Sequence, residues 1–532
     1  MSSFVQKRKV DKNLIDKLSA TLGCGRDLAE VLAIRGYQDT DSIQTFLQAD
    51  IKNLTPVFDY VGMREARDRI KQAVDYGESI VIYGDYDCDG VCSTAILYMF
   101  LSSLGAEVNF YIPNRKKEGY GINRDALEEI ADTYYPDLII TVDCGITSKE
   151  DIDYAVNDLG IDFIVTDHHE PPEILPECIV VNPKVQRLNN TFNELCGAGI
   201  ALRLCEAIGG EKVLMYYIDL CAIATIGDIV PLQGDNRIIV SYGMEILNSR
   251  ARLSVKLLME IAGAKIDEKF TSQDVAFKIV PRINAIGRLS DSKKAVAMLV
   301  DSDYFYVKSL VEQANSYNIE RQQFTDDLVA DCLEMLEKYD LVNNRIIVLY
   351  SDKWEAGVLG IASAKITNMF NRPSILMTGD GEFYKGSARS IAGVNIYDCV
   401  SACKGFLHNF GGHAMACGVT CSKENIEAFC FAINEYARHL DKSLFVPKTE
   451  YDLCRNYSEI SFENIAELNK LEPFGMDNPR VTYNVCVNTP IFGRISTTKH
   501  IKYAQNKDVE MVYFDGSKYL KNINLSFGIF LI

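Results

Sequence analysis

The chain has 532 residues, 48% hydrophobic and 24% charged, which is too long for one domain and ordinary for a globular protein. Its 73 acidic residues outnumber 55 basic ones for a formal net charge of -18. Taken alone, that balance argues against a general nucleic-acid-binding protein, without deciding it, since binding needs a local basic groove and not a basic total, and bound divalent metal would offset some of the acid. No apolar stretch reaches the length of a membrane span, and the opening MSSFVQKRKV lacks the apolar core of a signal peptide. The 16 cysteines show no disulfide-like spacing, and Cys205, Cys221 and Cys399 sit inside apolar runs, which points to the reducing cytoplasm.

Residues 1–60 read as short helices, with DLAEVLAIRGY and TDSIQTFLQAD as amphipathic pieces. From 61 the period changes. A helix, MREARDRIKQAVDYG, leads into a strand at 80–84, and a second helix follows from Val91 to Leu104. Strand AEVNFYIP, helix RDALEEIADTY, strand DLIITVD, helix SKEDIDYAVNDLG and strand IDFIVTD come next. Strands alternating with helical patterns across short turns predict an α/β fold with a doubly wound, mainly parallel sheet. A helical region extends to 303. Residues 304–340 lack Gly and Pro and carry apolar residues at three- and four-residue steps, which predicts one long connecting helix. A second, smaller α/β pattern fills 341–444, and residues 445–532 read as a small β-domain.

Three strands of the first sheet end in acid: at Asp85, Asp87 and Asp89 in GDYDCDG, at Asp143 in LIITVDCG, and at Asp167 in FIVTDHH. Ligands of an open α/β sheet bind beyond the carboxyl ends of its strands, so these groups converge on one edge. DHH adds His168 and His169, two of only six histidines, and Asp228 interrupts the apolar run TIGDIVPL. Alone, DYDCDG could be a solvated or calcium loop, although no Glu lies at the calcium-loop spacing, and Asp143 could be a helix cap. Together, four or five carboxylates with one or two imidazoles suit a pair of divalent cations, Mn²⁺, Fe or Co better than Mg²⁺ alone, and phosphoester hydrolysis is the chemistry that follows.

Other stretches offer phosphate contacts. GSARS supplies Ser387, Arg389 and Ser390, and FGGH supplies the amides of Gly411 and Gly412 beside His413, either as cradles or as tight turns. In PRINAIGR, Arg282 and Arg288 flank Asn284, near the strand of a substrate or on a surface turn. Tyr120 in EGYGIN is a base-stacking or a buried tyrosine. In the tail, Arg480, Arg494, Lys499, Lys502 and Lys507 are either phosphate contacts or scattered solvated charges, and a cut near 445 is expected to spare hydrolysis of very short oligonucleotides.

The motifs GDYDCDG, IPNRKKEGYGIN, TVDCG, DHHEPP, NPK, GDIVPL and PRINAIGR, followed by WEAGVLGIAS, GSARS, FGGHAMACG and LEPFGMDNP, resemble the single-strand-specific exonucleases of the DHH phosphoesterase superfamily over nearly the whole chain. The resemblance implies a DHH catalytic domain at 61–303 behind an N-terminal extension at 1–60. It implies a DHHA1 substrate-binding domain at 341–444 beyond the connecting helix 304–340, and an OB-like nucleic-acid-binding domain at 445–532. It implies two ions, Mn²⁺ or Mg²⁺, held by Asp87, Asp89, Asp143, His168 and Asp228, with Asp85 nearby or alternative and His169 on the scissile phosphate. It places Arg115, Tyr120, Arg282, Asn284, Arg288, Ser387, Arg389, Ser390, Gly411, Gly412 and His413 on the substrate.

The implied activity is 5′ to 3′ hydrolysis of single-stranded DNA to mononucleotides in repair and recombination, with a single-strand-binding protein and a helicase as partners and no membrane. The alternatives are a phosphodiesterase for short oligoribonucleotides or cyclic dinucleotides, and an inactive replication scaffold. The chain departs from the family pattern at Glu355, where a histidine is common, at Cys88, where a small aliphatic residue is usual, and in a tail that ends at Ile532 sooner than in many members, which leaves the contribution of the last β-domain open.

Overall fold

The computed structural model describes residues 3–114, 118–119, 121–185, 192–264, 268–456 and 459–486, and beyond them the strands Ile501–Ala504, Glu510–Tyr513 and Phe527–Leu531. The chain divides into two compact units, one of residues 5–315 with 450–532 and one of residues 1–4 with 316–449. Among the described residues no helix is long and apolar enough to cross a membrane.

The larger unit opens with helices α1 (Lys12–Leu22), α2 (Arg26–Ile34) and α3 (Thr40–Gln48). Helix α4 (Met63–Tyr76) then presents Met63, Ala66, Ile70 and Ala73 on one buried stripe. A five-stranded sheet follows: β1 (Ile80–Gly84), α5 (Cys88–Ser103), β2 (Val108–Tyr111), α6 (Arg124–Tyr134), β3 (Leu138–Val142), α7 (Lys149–Asn157), β4 (Asp162–Thr166) and β5 (Ile179–Val181). All pairs are parallel and the spatial order is β2-β1-β3-β4-β5. Val81, Tyr83, Ile139 and Val165 pack with Ile130 of α6 and Ile152 of α7. Strand side chains alternate between faces, so the equally buried Ile80, Ile82, Leu138, Ile140 and Ile164 line the other face.

Helices α8 (Gly197–Gly209), α9 (Leu214–Gly227) and α10 (Gly234–Arg250) come next. Both α5 and α9 are apolar nearly all round, as fits helices packed on several sides, and α8 packs on both. Five residues of π-helix, Val275–Ile279, then feed directly into α11 (Val280–Leu289), which carries the PRINAIGR motif.

Helix α12 (Tyr304–Leu336) covers most of the stretch expected to be one long helix. The smaller unit contains β6 (Ile347–Ser351), α13 (Leu359–Phe370), β7 (Ser374–Asp380), β8 (Phe383–Arg389), β9 (Leu407–His413), β10 (Ala416–Ser422) and α14 (Ile426–Ala437). Its sheet runs β9-β10-β8-β7-β6, parallel only between β6 and β7.

The tail returns to the larger unit. Strand β11 (Leu453–Asn456) pairs parallel with β12 (Thr482–Cys486), which pairs antiparallel with β13 (Phe527–Leu531). Leu453, Leu471, Val481, Tyr483 and Val485 share one core with Leu28, Leu32, Ile43 and Phe46 of α2 and α3. Polar bonds seal it: Arg455 reaches Asp27 at 2.9 Å and Glu30 at 2.6 Å, and the Tyr483 hydroxyl donates to Asp27 at 2.8 Å. Buried Arg237 of α10 donates to the carbonyls of Phe46, Leu471 and Glu472.

Candidate metal centre

In a sheet ordered 2-1-3-4-5 the connections leave β1 and β3 toward opposite faces, and a crevice opens between their carboxyl ends. Asp85, Asp87 and Asp89 follow β1, and Asp143 follows β3. Asp143 adopts φ 61°, a left-handed conformation that aspartate tolerates better than most residues. His168 and His169 follow β4, and Asp228 ends α9.

These groups meet. His168 Nε2 lies 3.1 Å from Asp143 Oδ1, 3.6 Å from Asp228 Oδ2 and 3.8 Å from Asp89 Oδ2. Candidate ligand atoms fall within 4.8 Å of one another in three sets: Asp85, Asp87 and Asp143; Asp89, His168 and Asp228; Asp143, His168 and His169. Asp143 and His168 occur in two sets each, so the sets form one continuous cluster.

Local structure aims each carboxylate. Asp87 caps α5, accepting from the amides of Asp89 at 2.9 Å and Gly90 at 3.2 Å. Asp89 is buried, and its two oxygens accept the amides of Gly197 at 2.6 Å and Ala198 at 2.8 Å, the first turn of α8. The positive end of that helix favours a carboxylate there. Gly197 is required: a Cβ on it would lie 2.6 Å from the Cβ of Asp143.

The electrostatics are those of an uncompensated acidic site. Burial, then the neighbouring Asp89, Asp87, Asp85 and Asp228, pushes Asp143 well above the usual carboxylate range. Burial, with Asp89 and Asp87 after it, raises Asp228 to about 8. Burial lowers His168 to about 4, which leaves a neutral imidazole suited to coordination. Asp143 Oδ1 and His168 Nε2 are buried and have no hydrogen-bond partner among the described residues. A cluster of buried acids with unused donor atoms aimed at one another fits divalent cations of the Mn²⁺ or Mg²⁺ kind.

Asp167 has a different task. It accepts the amides of Ile146 at 2.9 Å, His168 at 2.7 Å and His169 at 3.1 Å, and pairs with His169 Nδ1 at 2.7 Å. Burial opposes the charge of His169, but the Asp167 bond together with the charges of Asp167, Asp228 and Asp89 outweighs it and raises the ring to about 8. The second histidine is therefore a half-exposed cation beside the cluster.

The remaining expected site residues divide. Arg115 and Tyr120 lie outside the described residues, as do Arg494, Lys499, Lys507 and the side chain of Lys502. Arg282, Asn284 and Arg288 sit on α11 and not on a turn. Arg282 donates to Asn315 at 3.0 Å, and Asn284 accepts the Cys88 amide at 2.7 Å. In the smaller unit residues 386–389 of GSARS and all of FGGH are strand, in β8 and β9, and Ser390 follows the end of β8. Gly411 and Gly412 pair with Gly418 and Cys417, and consecutive amides of a strand point to opposite sides, so the two do not form a joint cradle. Buried Ser390 donates to Val394 at 2.6 Å inside its own turn. Arg389 Nη1 and Ser387 Oγ are 2.9 Å apart, close against Gly360 in the first turn of α13, and exposed His413 ends β9. The sequence reading missed Gly197 and Ala198, although CGAGIA, glycines opening a helix, carried the signal.

The chain matches the DHH family, N-terminal domain, over residues 79–225 and the DHHA1 domain over residues 343–439. It is 39% identical over 477 residues to the single-stranded-DNA-specific exonuclease RecJ of Bacillus subtilis, covering 89% of this chain and 60% of that one. It is 30% identical over 484 residues to the RecJ of Escherichia coli, covering 86% of this chain and 82% of that one. Among solved structures, RecJ from Thermus thermophilus in complex with Mn²⁺ aligns with a TM-score of 0.83 and 27% identity over 96% of this chain and 73% of that one. The Mg²⁺ complex of the Thermus thermophilus RecJ aligns with a TM-score of 0.75 and 26% identity over 96% and 72%.

Proposed function

The chain belongs to the RecJ family of single-stranded-DNA-specific exonucleases, and on that premise we propose that it degrades single-stranded DNA from the 5′ end to mononucleotides with two Mn²⁺ or Mg²⁺ ions. It spans 60% of the length of the Bacillus subtilis relative. The observation that carries the proposal is the cluster of buried Asp85, Asp89, Asp143 and His168 with half-buried Asp87 and Asp228 at the crevice between β1 and β3.

Asp87, Asp89, Asp143, His168 and Asp228 hold the ions, with Asp85 beside them. Divalent cations there supply Lewis acidity to a phosphoryl oxygen and to the attacking water. His169, cationic through Asp167, donates to the scissile phosphate and opposes the charge that develops on it. The intact acid and histidine set favours an enzyme over an inactive scaffold. We assign hydrolysis to residues 61–303 and substrate binding to 341–444, where Arg389 and Ser387 beside the first turn of α13 are suited to a terminal phosphate, with His413 as a further contact. Residues 304–340 connect the two, and 445–532 contribute contacts to longer strands. A helicase that produces the single strand and a single-strand-binding protein that coats it are the partners this activity implies. The free cysteines among the described residues suit the reducing cytoplasm.

The test is the purified protein with Mn²⁺ on end-labelled single-stranded DNA, duplex DNA and RNA. Mononucleotides released from the 5′ end of the single strand are expected. Release from the 3′ end, or equal attack on the duplex, would overturn the reading.

A further inference from the structure

Helix α5 begins with amides that have no partner inside the helix. Asp87 takes the amides of Asp89 and Gly90, and the Cys88 amide is left for another element to satisfy. That element is α11: Asn284 Oδ1 accepts the Cys88 amide at 2.7 Å. Cys88 is buried, so the amide has no recourse to water. The same helix holds the residue before Asp87. A Cβ on Gly287 would overlap the Tyr86 carbonyl oxygen, and Ser292 Oγ lies 3.5 Å from that oxygen. The π-helical turn Val275–Ile279 runs directly into α11, and one-turn π segments occur often beside functional sites. The segment Tyr86–Cys88, with Asp87 at its centre, is therefore gripped by three residues from one stretch of chain, 284–292.

We propose that Asn284 is a positioning residue of the metal centre: through the Cys88 amide it fixes the orientation of the Asp87 carboxylate, with Gly287 setting how closely α11 approaches. This rests on the metal-centre reading above. It departs from the expectation that Asn284 contacts the substrate, and the two roles order the variants oppositely. Asn284→Ala removes the acceptor, whereas Asn284→Asp keeps an acceptor oxygen but would repel a phosphate.

The experiment titrates metal-free protein with Mn²⁺ by calorimetry and measures kcat and KM on single-stranded DNA at saturating Mn²⁺, with thermal melting as the folding control. For Asn284→Ala, Mn²⁺ affinity should fall about 10- to 100-fold and KM for DNA should change little. Asn284→Asp should recover most of the affinity. Gly287→Ala, which displaces Tyr86 without touching Asn284, should weaken Mn²⁺ in the same direction. Wild-type Mn²⁺ affinity in Asn284→Ala with a raised KM, or Asn284→Asp worse than Asn284→Ala on DNA, overturns the positioning role alone. A wild-type protein that takes up no Mn²⁺ overturns the metal-centre reading itself.

Discussion

Asp143 stands where the ligand sets overlap, within reach of Asp85 and Asp87 on one side and His168 and His169 on the other. Asp143→Ala should abolish uptake of at least one ion and lower turnover by several orders of magnitude. Its fold should persist, because removing one acid from a crowded cluster relieves repulsion. Mn²⁺ titration together with rates on single-stranded DNA checks this, and near-normal turnover would remove Asp143 from the centre. The cluster also fixes a pH dependence. A carboxylate whose folded-state pKa is raised contributes stability below its unfolded value, about 4, and loses it as pH rises through the folded value. Asp228 is raised to about 8, and Asp89 and Asp143 are raised too, in each case chiefly by burial. Metal-free protein should therefore lose stability across that window, and the increase in Tm on adding Mn²⁺ should grow across it. Calorimetry at about pH 6 and about pH 8 reads the increment, and one that shrinks would contradict the assignment. Asp167 has the opposite sign. Burial opposes its charge, but the His169 ring and the amides it accepts hold it below the usual range, so its contribution is lost in acid.

At the scale of elements, the first turn of α8 does work that no acidic residue could. Gly197→Ala would set a methyl group against Asp143, 2.6 Å from its Cβ. The overpacking should cost about 1–3 kcal/mol and weaken Mn²⁺ binding, measured by urea unfolding and metal titration on the same sample. Which elements the sequence reveals follows from what ends them. Strands β1, β3 and β4 are apolar runs stopped by aspartate, and both their ends and their purpose are legible. Strand β5 is not, because residues 167–178 that lead to it carry Pro171, Pro172 and Pro176 and no helix, so the alternation of periods fails there. GSARS and FGGH have turn composition, yet the ladder β9-β10-β8 holds them extended, since pairing across a sheet overrides local preference. Asn284 was singled out by its motif, but its bond to Cys88 joins residues 196 positions apart and leaves no local trace.

In the larger unit taken whole, Arg237 holds α10, the end of α3 and the tail together through three carbonyls, with its guanidinium 3.8 Å from the centre of the Phe46 ring. Arg237→Met should destabilise this unit by about 2–4 kcal/mol, as buried carbonyls lose a charged donor. Limited proteolysis should then cut first within residues 5–60. Cleavage elsewhere first would show that the contact is dispensable. A cut near 445 is no longer expected to leave a simple catalytic fragment: it would strip Leu453, Tyr483 and Val485 from the core that covers Leu28 and Leu32. Such a truncated chain should bind hydrophobic dyes and aggregate, which light scattering reports. Arg455 and Asp27 are bonded across 428 positions. On the ribosome, α2 must wait for a segment made 428 residues after it, and until that segment emerges the apolar face of the helix is in the care of chaperones. This raises the contact order of the unit and makes its closure late. The larger unit then closes this core only after the whole parallel sheet between the two segments has been made.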